Sequence, residues 1–318
     1  MKILTKNQTA EFLTENNNFV ILTHRRPDGD TLGSAALLCR GLRKLGKTAH
    51  ILRNPEITEK YAPLHEGLTT EQVEDTHILI AVDTASKGML PAAFSAYADR
   101  IALRIDHHAT AESFTQREFV VPEAAACGEL VARVLSLMGC PLDKPMANAL
   151  YTAISTDTGC FRYANTTAET FEVAAYCAHN GADLFAINQA LFETRSLGRL
   201  RLEGWLIEHM LFLQDGKVAI CALPKSVEEE LGLSEDDLEN ISGFPRSIEG
   251  VKIAATIRQE DENRVKISVR AVPGYDAAAI CQNFGGGGHK GAAGAGLTLP
   301  LDQAVEAAAQ ALQEVITK

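Results

Sequence analysis

The sequence predicts an α/β chain in two parts, a parallel sheet with helices on both faces followed by a smaller mixed α+β domain. Three observations carry that expectation. Short apolar runs at 19–23, 48–52, 78–82, 101–105 and 119–121 alternate with helix-length segments at 32–45, 128–138 and 145–155, and such alternation builds a parallel sheet with its crossover helices packed against it. After Asp215-Gly216 the pattern changes to closely spaced strand candidates. With 318 residues, 46% of them hydrophobic, the chain is long enough to bury two cores.

The runs 19–23, 78–82 and 101–105 are largely hydrophobic and read as strands. Beyond the sheet, 167–179, 183–192 and 197–212 read as consecutive amphipathic helices, the last linking the domains. The expected bounds are a catalytic domain at 1–195, a helical linker at 196–215 and a second domain at 216–318. In the second domain, strands are expected at 218–223, 251–258 and 264–270, with Glu260-Asp261-Glu262-Asn263 as a polar hairpin turn. A helix at 276–282, a glycine run and a final helix from Asp302 follow. That last helix is Ala-rich, but Val305, Ala308, Ala309, Leu312 and Ile316 recur at the spacing of a docked face.

Composition bounds the function. The formal net charge is −11, whereas proteins that track along duplex DNA or long RNA carry a basic surface that displaces counterions. Short anionic substrates are therefore expected, and long duplex nucleic acid is not. No apolar run approaches the roughly 20 residues that span a bilayer, and the opening Met-Lys-Ile-Leu-Thr-Lys-Asn has no leader pattern. Seven cysteines, an odd number without paired spacing, read as reduced thiols, so a cytoplasmic protein without a membrane partner is expected.

The chemistry gathers where strands run into loops. His24-Arg25-Arg26-Pro27-Asp28-Gly29-Asp30 follows the first run, Asp83 ends another, and Asp106-His107-His108 ends a third. Asp157 ends the helical run 145–155. A single Asp at a strand end is usually a cap or turn residue. Four such ends at one sheet edge would crowd several carboxylates, which must then protonate or recruit a cation. Oxygen-rich ligation mixed with imidazole suits Mn, Mg, Fe or Zn, and no Cys-x-x-Cys is present for a structural zinc. Two cations, manganese first with Mg, Fe or Co as alternatives, and hydrolysis of a phosphate ester are the expected chemistry. Glycines 285–288, followed by His289-Lys290, do not make a Walker A loop. They read either as a flexible turn or as a nest whose amides approach an anion.

These motifs, His24-x-x-Pro27-Asp28-Gly29-Asp30-x-x-Gly33-Ser34, Val82-Asp83, Asp106-His107-His108 and Thr156-Asp157-Thr158-Gly159-x-Phe161-Arg162, resemble in order the four motifs of the DHH phosphoesterase superfamily. The run Gly285 to Gly294 resembles the signature of its DHHA1 substrate-binding domain. The resemblance implies one metal on His24, Asp28 and Asp83 and a second on Asp30, Asp83, His107 and Asp157, with Asp83 bridging. It implies that His108 faces the substrate phosphate and that Asp106 orients the neighbouring imidazoles. Gly286, Gly287, Gly288 and His289 would hold the nucleotide, with Arg162, Arg264 and Arg270 as further candidates for substrate contact. Several relatives follow Asp-His-His with Pro and a nearby Asn, whereas Ala109 and Thr110 stand here.

The implied activity is that of stand-alone enzymes that degrade very short RNA and dephosphorylate 3′-phosphoadenosine 5′-phosphate (pAp). Cleavage of a cyclic or linear dinucleotide uses the same residues and stays open. A pyrophosphate or polyphosphate hydrolase would want a basic clamp in place of the glycine run, and a non-catalytic nucleotide sensor would not need the full ligand set. Oligomeric state, a homodimer included, is left open.

Overall fold

The computed structural model describes residues 2–109 and 112–316, so Thr110 lies outside the described residues. The chain divides into two units, Met1–Thr194 and Arg195–Lys318. In the first, β1 (Lys2–Ile3), α1 (Lys6–Glu15), β2 (Phe19–Leu22), α2 (Gly29–Lys44), β3 (Ala49–Leu52), β4 (Thr69–Thr70), β5 (Ile78–Val82), β6 (Ile101–Asp106), β7 (Arg117–Val120), α3 (Cys127–Leu137), α4 (Lys144–Asp157), α5 (Ala168–His179) and α6 (Leu184–Asn188) follow in order.

Its strands form one sheet in the order β1-β7-β6-β5-β2-β3-β4, parallel throughout. Because β2, β5 and β6 are neighbours, their carboxyl ends open into one crevice, the usual ligand position in such sheets. Phe19, Ile21, Ile80, Val82, Leu103 and Ile105 pack on one face beneath Leu38 of α2, Val131 of α3 and Ile154 of α4. On the other face Val20, Leu22, Leu79 and Ala81 are covered by Phe94 and Ala98, from the 3₁₀ segment Ala92–Arg100. There the expected helical cover is a run of tight turns.

Helix α2 lies unusually close to its neighbours. A Cβ on Gly33 would stand 2.4 Å from the Ala149 carbonyl oxygen, and one on Gly41 would stand 2.5 Å from Leu135 Cδ1. Glycines at helical spacing thus bring the N-terminus of α2, with Asp28 and Asp30, against the C-terminus of α4, which ends in Asp157.

The second unit contains α7 (Leu197–Glu208), β8 (Leu211–Leu213), β9 (Val218–Leu223), α8 (Lys225–Glu230), α9 (Glu235–Leu238), β10 (Ile253–Asp261), β11 (Arg264–Ala271), α10 (Ala277–Gln282), β12 (Gly287–His289), β13 (Ala292–Leu297) and α11 (Leu301–Ile316). Its sheet runs β12-β13-β11-β10-β9-β8, mixed because β9 and β10 are parallel while the other pairs are antiparallel. Ile253, Ile257, Ile267 and Val269 pack with Ala304, Ala308 and Leu312 of α11.

Two expectations change here. Leu202 and Leu206 of α7 pack with Cys221, Leu223 and Leu238, so the segment expected as a linker contributes to the second unit's own core. The helix expected over 197–212 ends at Glu208, where His209 stacks on Trp205 at 4.1 Å between ring centroids. Leu211–Leu213 then pairs with β9 as a strand. The glycine run lies at the edge of this sheet. Gly287–His289 is an edge strand on β13, with Gly285 and Gly288 at positive φ on either side of Gly286 and Gly287.

Candidate metal centre

The site is built from four chain ends on one side of the first unit's sheet. β2 runs through Thr23 into His24, β5 into Asp83, β6 ends in Asp106 and leads to His107 and His108, and α4 ends in Asp157. Asp28 is the N-cap of α2, its carboxylate accepting from the amides of Asp30 and Thr31 at 3.1 Å each. Asp83 has φ +52°, a left-handed conformation that costs a non-glycine residue on the order of 1 kcal/mol. The turn aims its carboxylate along the crevice.

Asp83 is 2% exposed and its two oxygens face different groups. Oδ2 lies 3.5 Å from His24 Nε2, which is 3.6 Å from Asp28 Oδ1. Oδ1 lies 3.5 Å from His107 Nε2, which is 3.6 Å from Asp30 Oδ2 and 3.5 Å from Asp157 Oδ2. Asp83 Oδ1 is buried without a hydrogen-bond partner. These separations are long for hydrogen bonds. They come close instead to the edge of a tetrahedron around a shared ion, since donors about 2.1 Å from it stand roughly 3.4 Å apart.

Ring tautomers agree. His24 Nδ1 is 2.8 Å from the Arg25 carbonyl and His107 Nδ1 is 3.0 Å from the Ala124 carbonyl. A carbonyl only accepts, so each Nδ1 carries hydrogen and a neutral ring turns the lone pair of Nε2 into the cluster. His24, Asp28 and Asp83 form one candidate ligand group, and Asp30, His107 and Asp157 another. The donor set fits divalent cations.

Asp30 has a second task. Its oxygens accept from Cys127 N at 2.6 Å, Gly128 N at 3.0 Å and Ser34 Oγ at 2.9 Å, so it caps α3, whose own N-cap Ala126 offers no side-chain bond. The helix dipole then favours the buried carboxylate. Asp106 Oδ1 accepts from the His107 and His108 amides and lies 2.8 Å from His108 Nδ1. Asp106 therefore fixes the His108 ring, while the His107 ring is fixed by Ala124. His108 is the more open of the pair, its side chain 31% exposed.

Charge is unbalanced in this cluster. Burial, and then the charges of Asp83 and Asp157, raise the Asp30 carboxyl well above the carboxylate range. Burial and Asp83 push Asp157 up to about 7. Burial opposes the charge on His107, but Asp83, Asp30 and Asp157 outweigh it and push the ring up to about 11. Protons here occupy the place of cationic charge.

The candidate substrate residues are distributed differently. Arg162 is exposed, its Nε donating to the Gly159 carbonyl at 2.5 Å. In the second unit Arg264 pairs with Glu260 and Asp261 across the β10–β11 turn, and Arg270 Nη2 donates to Ser242 Oγ at 2.7 Å. Gly287, Gly288 and His289 are exposed on β12. Gly286 is packed so closely that a Cβ would lie 2.2 Å from the Gly294 carbonyl oxygen.

Sequence reasoning missed three groups here. They are Ala124, whose carbonyl holds His107; Asn165, whose Nδ2 donates to the Ala125 and Asp157 carbonyls at 3.1 Å each; and Arg104, buried in β6. Only the last left a signal, a charged residue inside an apolar strand. Among the described residues no helix is long and apolar enough to cross a membrane, and all seven cysteines are unpaired.

Residues 18–154 match the DHH family, N-terminal domain, and residues 215–318 match the DHHA1 domain. A bifunctional oligoribonuclease and PAP phosphatase of Thermus thermophilus is 34% identical over 94% of this chain and 90% of its own length. A cyclic-di-AMP phosphodiesterase of Bacillus subtilis is 27% identical over 96% of this chain, which spans 49% of that longer protein. An exopolyphosphatase-related protein of Bacteroides fragilis superposes with a TM-score of 0.87 at 25% identity, covering 97% of this chain and 95% of that one.

Proposed function

Because the chain belongs to the DHH family and carries its DHHA1 domain, we propose that it is a two-metal phosphoesterase that hydrolyses short oligoribonucleotides to nucleoside 5′-monophosphates and removes the 3′-phosphate of pAp. One observation carries the reading. The carboxylate of Asp83 divides between His24 on one side and His107 on the other, so two ligand groups meet on a single bridging side chain.

In this proposal His24, Asp28 and Asp83 hold one divalent cation, and Asp30, Asp83, His107 and Asp157 hold the other, with manganese preferred over Mg, Fe or Co. Bound there, the cations supply Lewis-acid polarisation of the phosphoryl group and a water whose proton is lost near neutral pH. The chain's own residues do the rest. Asp106 holds His108 by Nδ1, and this bond raises the His108 pKa against its burial. With Nδ1 held by Asp106, Nε2 is the ring atom left to contact a phosphate oxygen as negative charge builds on it. Asp30, Asp83 and Asp157 exclude anions from the crevice until cations balance them. Residues 286–289 of the second unit bind the nucleotide, with Arg162, Arg264 and Arg270 as secondary contacts.

The match over nearly the full length of the oligoribonuclease, against half of the cyclic-di-AMP phosphodiesterase, favours short linear substrates over cyclic ones. We place the enzyme in the cytoplasm on its unpaired cysteines. The deciding experiment is hydrolysis of a dinucleotide, pAp, a cyclic dinucleotide and pyrophosphate side by side with manganese. Preference for the first two supports the proposal. Preference for the cyclic dinucleotide or pyrophosphate overturns it.

A further inference from the structure

Among the described residues, Arg104 is the one buried Lys or Arg. It sits in β6 two residues before Asp106, is 1% exposed, and shares Asp106's face of the strand by the two-residue period. A guanidinium removed from water costs several kcal/mol unless its hydrogen bonds are replaced, so its partners are informative. Nη1 donates to the Glu112 carbonyl at 2.8 Å and the Ala85 carbonyl at 3.1 Å, with the Thr84 carbonyl at 3.4 Å. Nη2 donates to Glu118 Oε2 at 3.0 Å. Nη1 also lies 3.8 Å from Asp106 Oδ2, an oxygen with no hydrogen-bond partner of its own. Phe114 covers the group, its ring centroid 5.1 Å from Cζ.

Three segments therefore converge on one side chain. The first is the turn that follows Asp83, whose left-handed backbone needs bracing. The second is the end of β6, where Asp106 sends Oδ1 to His108 and leaves Oδ2 toward the guanidinium. The third is the segment after the paired histidines, which Glu118 gathers by accepting from Ser113 Oγ at 3.1 Å and Phe114 N at 3.1 Å. Ala85 O also accepts from Glu112 N at 2.7 Å, tying the first segment to the third.

We propose that Arg104 is a positioning residue for phosphoester hydrolysis. Its planar fork fixes the Thr84-Ala85 turn against the 112–118 segment, and its charge sets which oxygen of Asp106 faces His108. Asp83 and His108 are thereby held at one mutual geometry from beneath. A lysine could supply the charge but not two separate donor nitrogens held in one plane. The kinetic part of this inference rests on the phosphoesterase function proposed above.

The test uses the full chain with manganese and a dinucleotide, comparing Arg104→Met, Arg104→Lys and Arg104→Ala. Displacing Asp83 and His108 by about an ångström predicts a kcat at saturating manganese lower by about 100-fold in Arg104→Met, with weaker manganese binding and KM near wild type. Arg104→Lys should remain at least tenfold impaired, as expected if the fork matters. Millimolar guanidinium should restore kcat to Arg104→Ala, while ammonium should not. Restoration by a denaturant separates positioning from simple loss of stability. Hydrogen exchange gives a readout independent of turnover. Amides of 107–108 and 112–118 should exchange faster in Arg104→Met, while those of α3 and α4 should not. If Arg104→Met does not fold, Arg104→Lys carries the same comparison, since it keeps the buried charge. Wild-type kcat in the variants, or exchange that rises evenly across the unit, overturns the inference. A wild-type enzyme inactive on every phosphoester would remove the proposed function, and local exchange would still decide the role of Arg104 in holding the loops.

Discussion

Gly33→Ala adds one methyl group to α2, and the structure says where it must go. The new Cβ would lie 2.4 Å from the Ala149 carbonyl oxygen, 3.0 Å from the Ala153 amide nitrogen and 3.1 Å from Ala153 Cβ. The first two are backbone atoms of α4, so no rotamer change relieves the contact. Restoring ordinary van der Waals separation moves α2 from α4 by about 0.8 to 1 Å, since packed interiors have no slack to absorb it. Overpacking of this kind costs about 1–3 kcal/mol, partly offset by about 1 kcal/mol gained when a helical glycine becomes alanine. A net loss of up to about 2 kcal/mol is expected. The larger effect falls on the site, because α2 carries Asp28 and Asp30 while α4 ends in Asp157. Misplacement by about 1 Å predicts a drop of about 100-fold in kcat/KM and weaker manganese binding. Steady-state hydrolysis of a dinucleotide, manganese titration and urea unfolding measure the three quantities. Gly204→Ala in α7 is the control, since nothing lies within 4 Å of its Cβ position, and it should be neutral or stabilising. A Gly33→Ala enzyme with wild-type turnover and manganese affinity would show that the α2–α4 approach does not set the carboxylate spacing.

Asp83→Asn keeps the shape of the proposed bridge and removes its charge; metal analysis should find less bound manganese and turnover should fall by more than about 1,000-fold, as expected for a group needed by both cations. Metal-free protein should lose stability between pH 6 and 8. Asp157 and His107 have folded pKa values raised to about 7 and about 11, so the stability they contribute is full below their unfolded values and is lost as pH rises through the folded ones. Urea unfolding in chelator at the two pH values checks the sign, and saturating manganese should reduce the slope because the cation replaces the protons. His108→Ala should lower kcat with little change in KM, whereas His289→Ala should raise KM for nucleotides more than it slows bis-p-nitrophenyl phosphate. Steady-state kinetics of both variants on both substrates, with metal content checked, separates the two roles.

Much of the site was legible because its residues stand at ends of apolar runs, where parallel strands deliver side chains to one edge. His24, Asp83 and Asp106 each follow such a run, and the sheet order places those three strands side by side. The glycines of α2 were visible as letters but not as a packing face, since only the partner helix shows why 29, 33 and 41 must be small. Strands β12 and β13 were unreadable for a related reason. Gly287–His289 and the small residues at 292–296 have poor strand propensity, and pairing of β13 with β11 and of β12 with β13 overrides it. The amphipathic pattern of α7 ran on through Leu211 and Phe212, which β9 takes into the sheet instead. The capping of α3 by Asp30 joins residues about a hundred positions apart, and no local rule finds such a pair. An uncapped Ala126 was its only trace.

That pairing has a practical side. An inactive control is commonly made by neutralising an active-site carboxylate, on the assumption that the rest of the molecule is undisturbed. Asp30 violates the assumption, because the carboxylate whose Oδ2 faces His107 also closes the first turn of α3 through both of its oxygens. A variant at Asp30 would report a folding defect and a chemical one in a single number. Substrate trapping and complementation experiments are therefore better built on His108, whose ring is held by Asp106 and caps no helix.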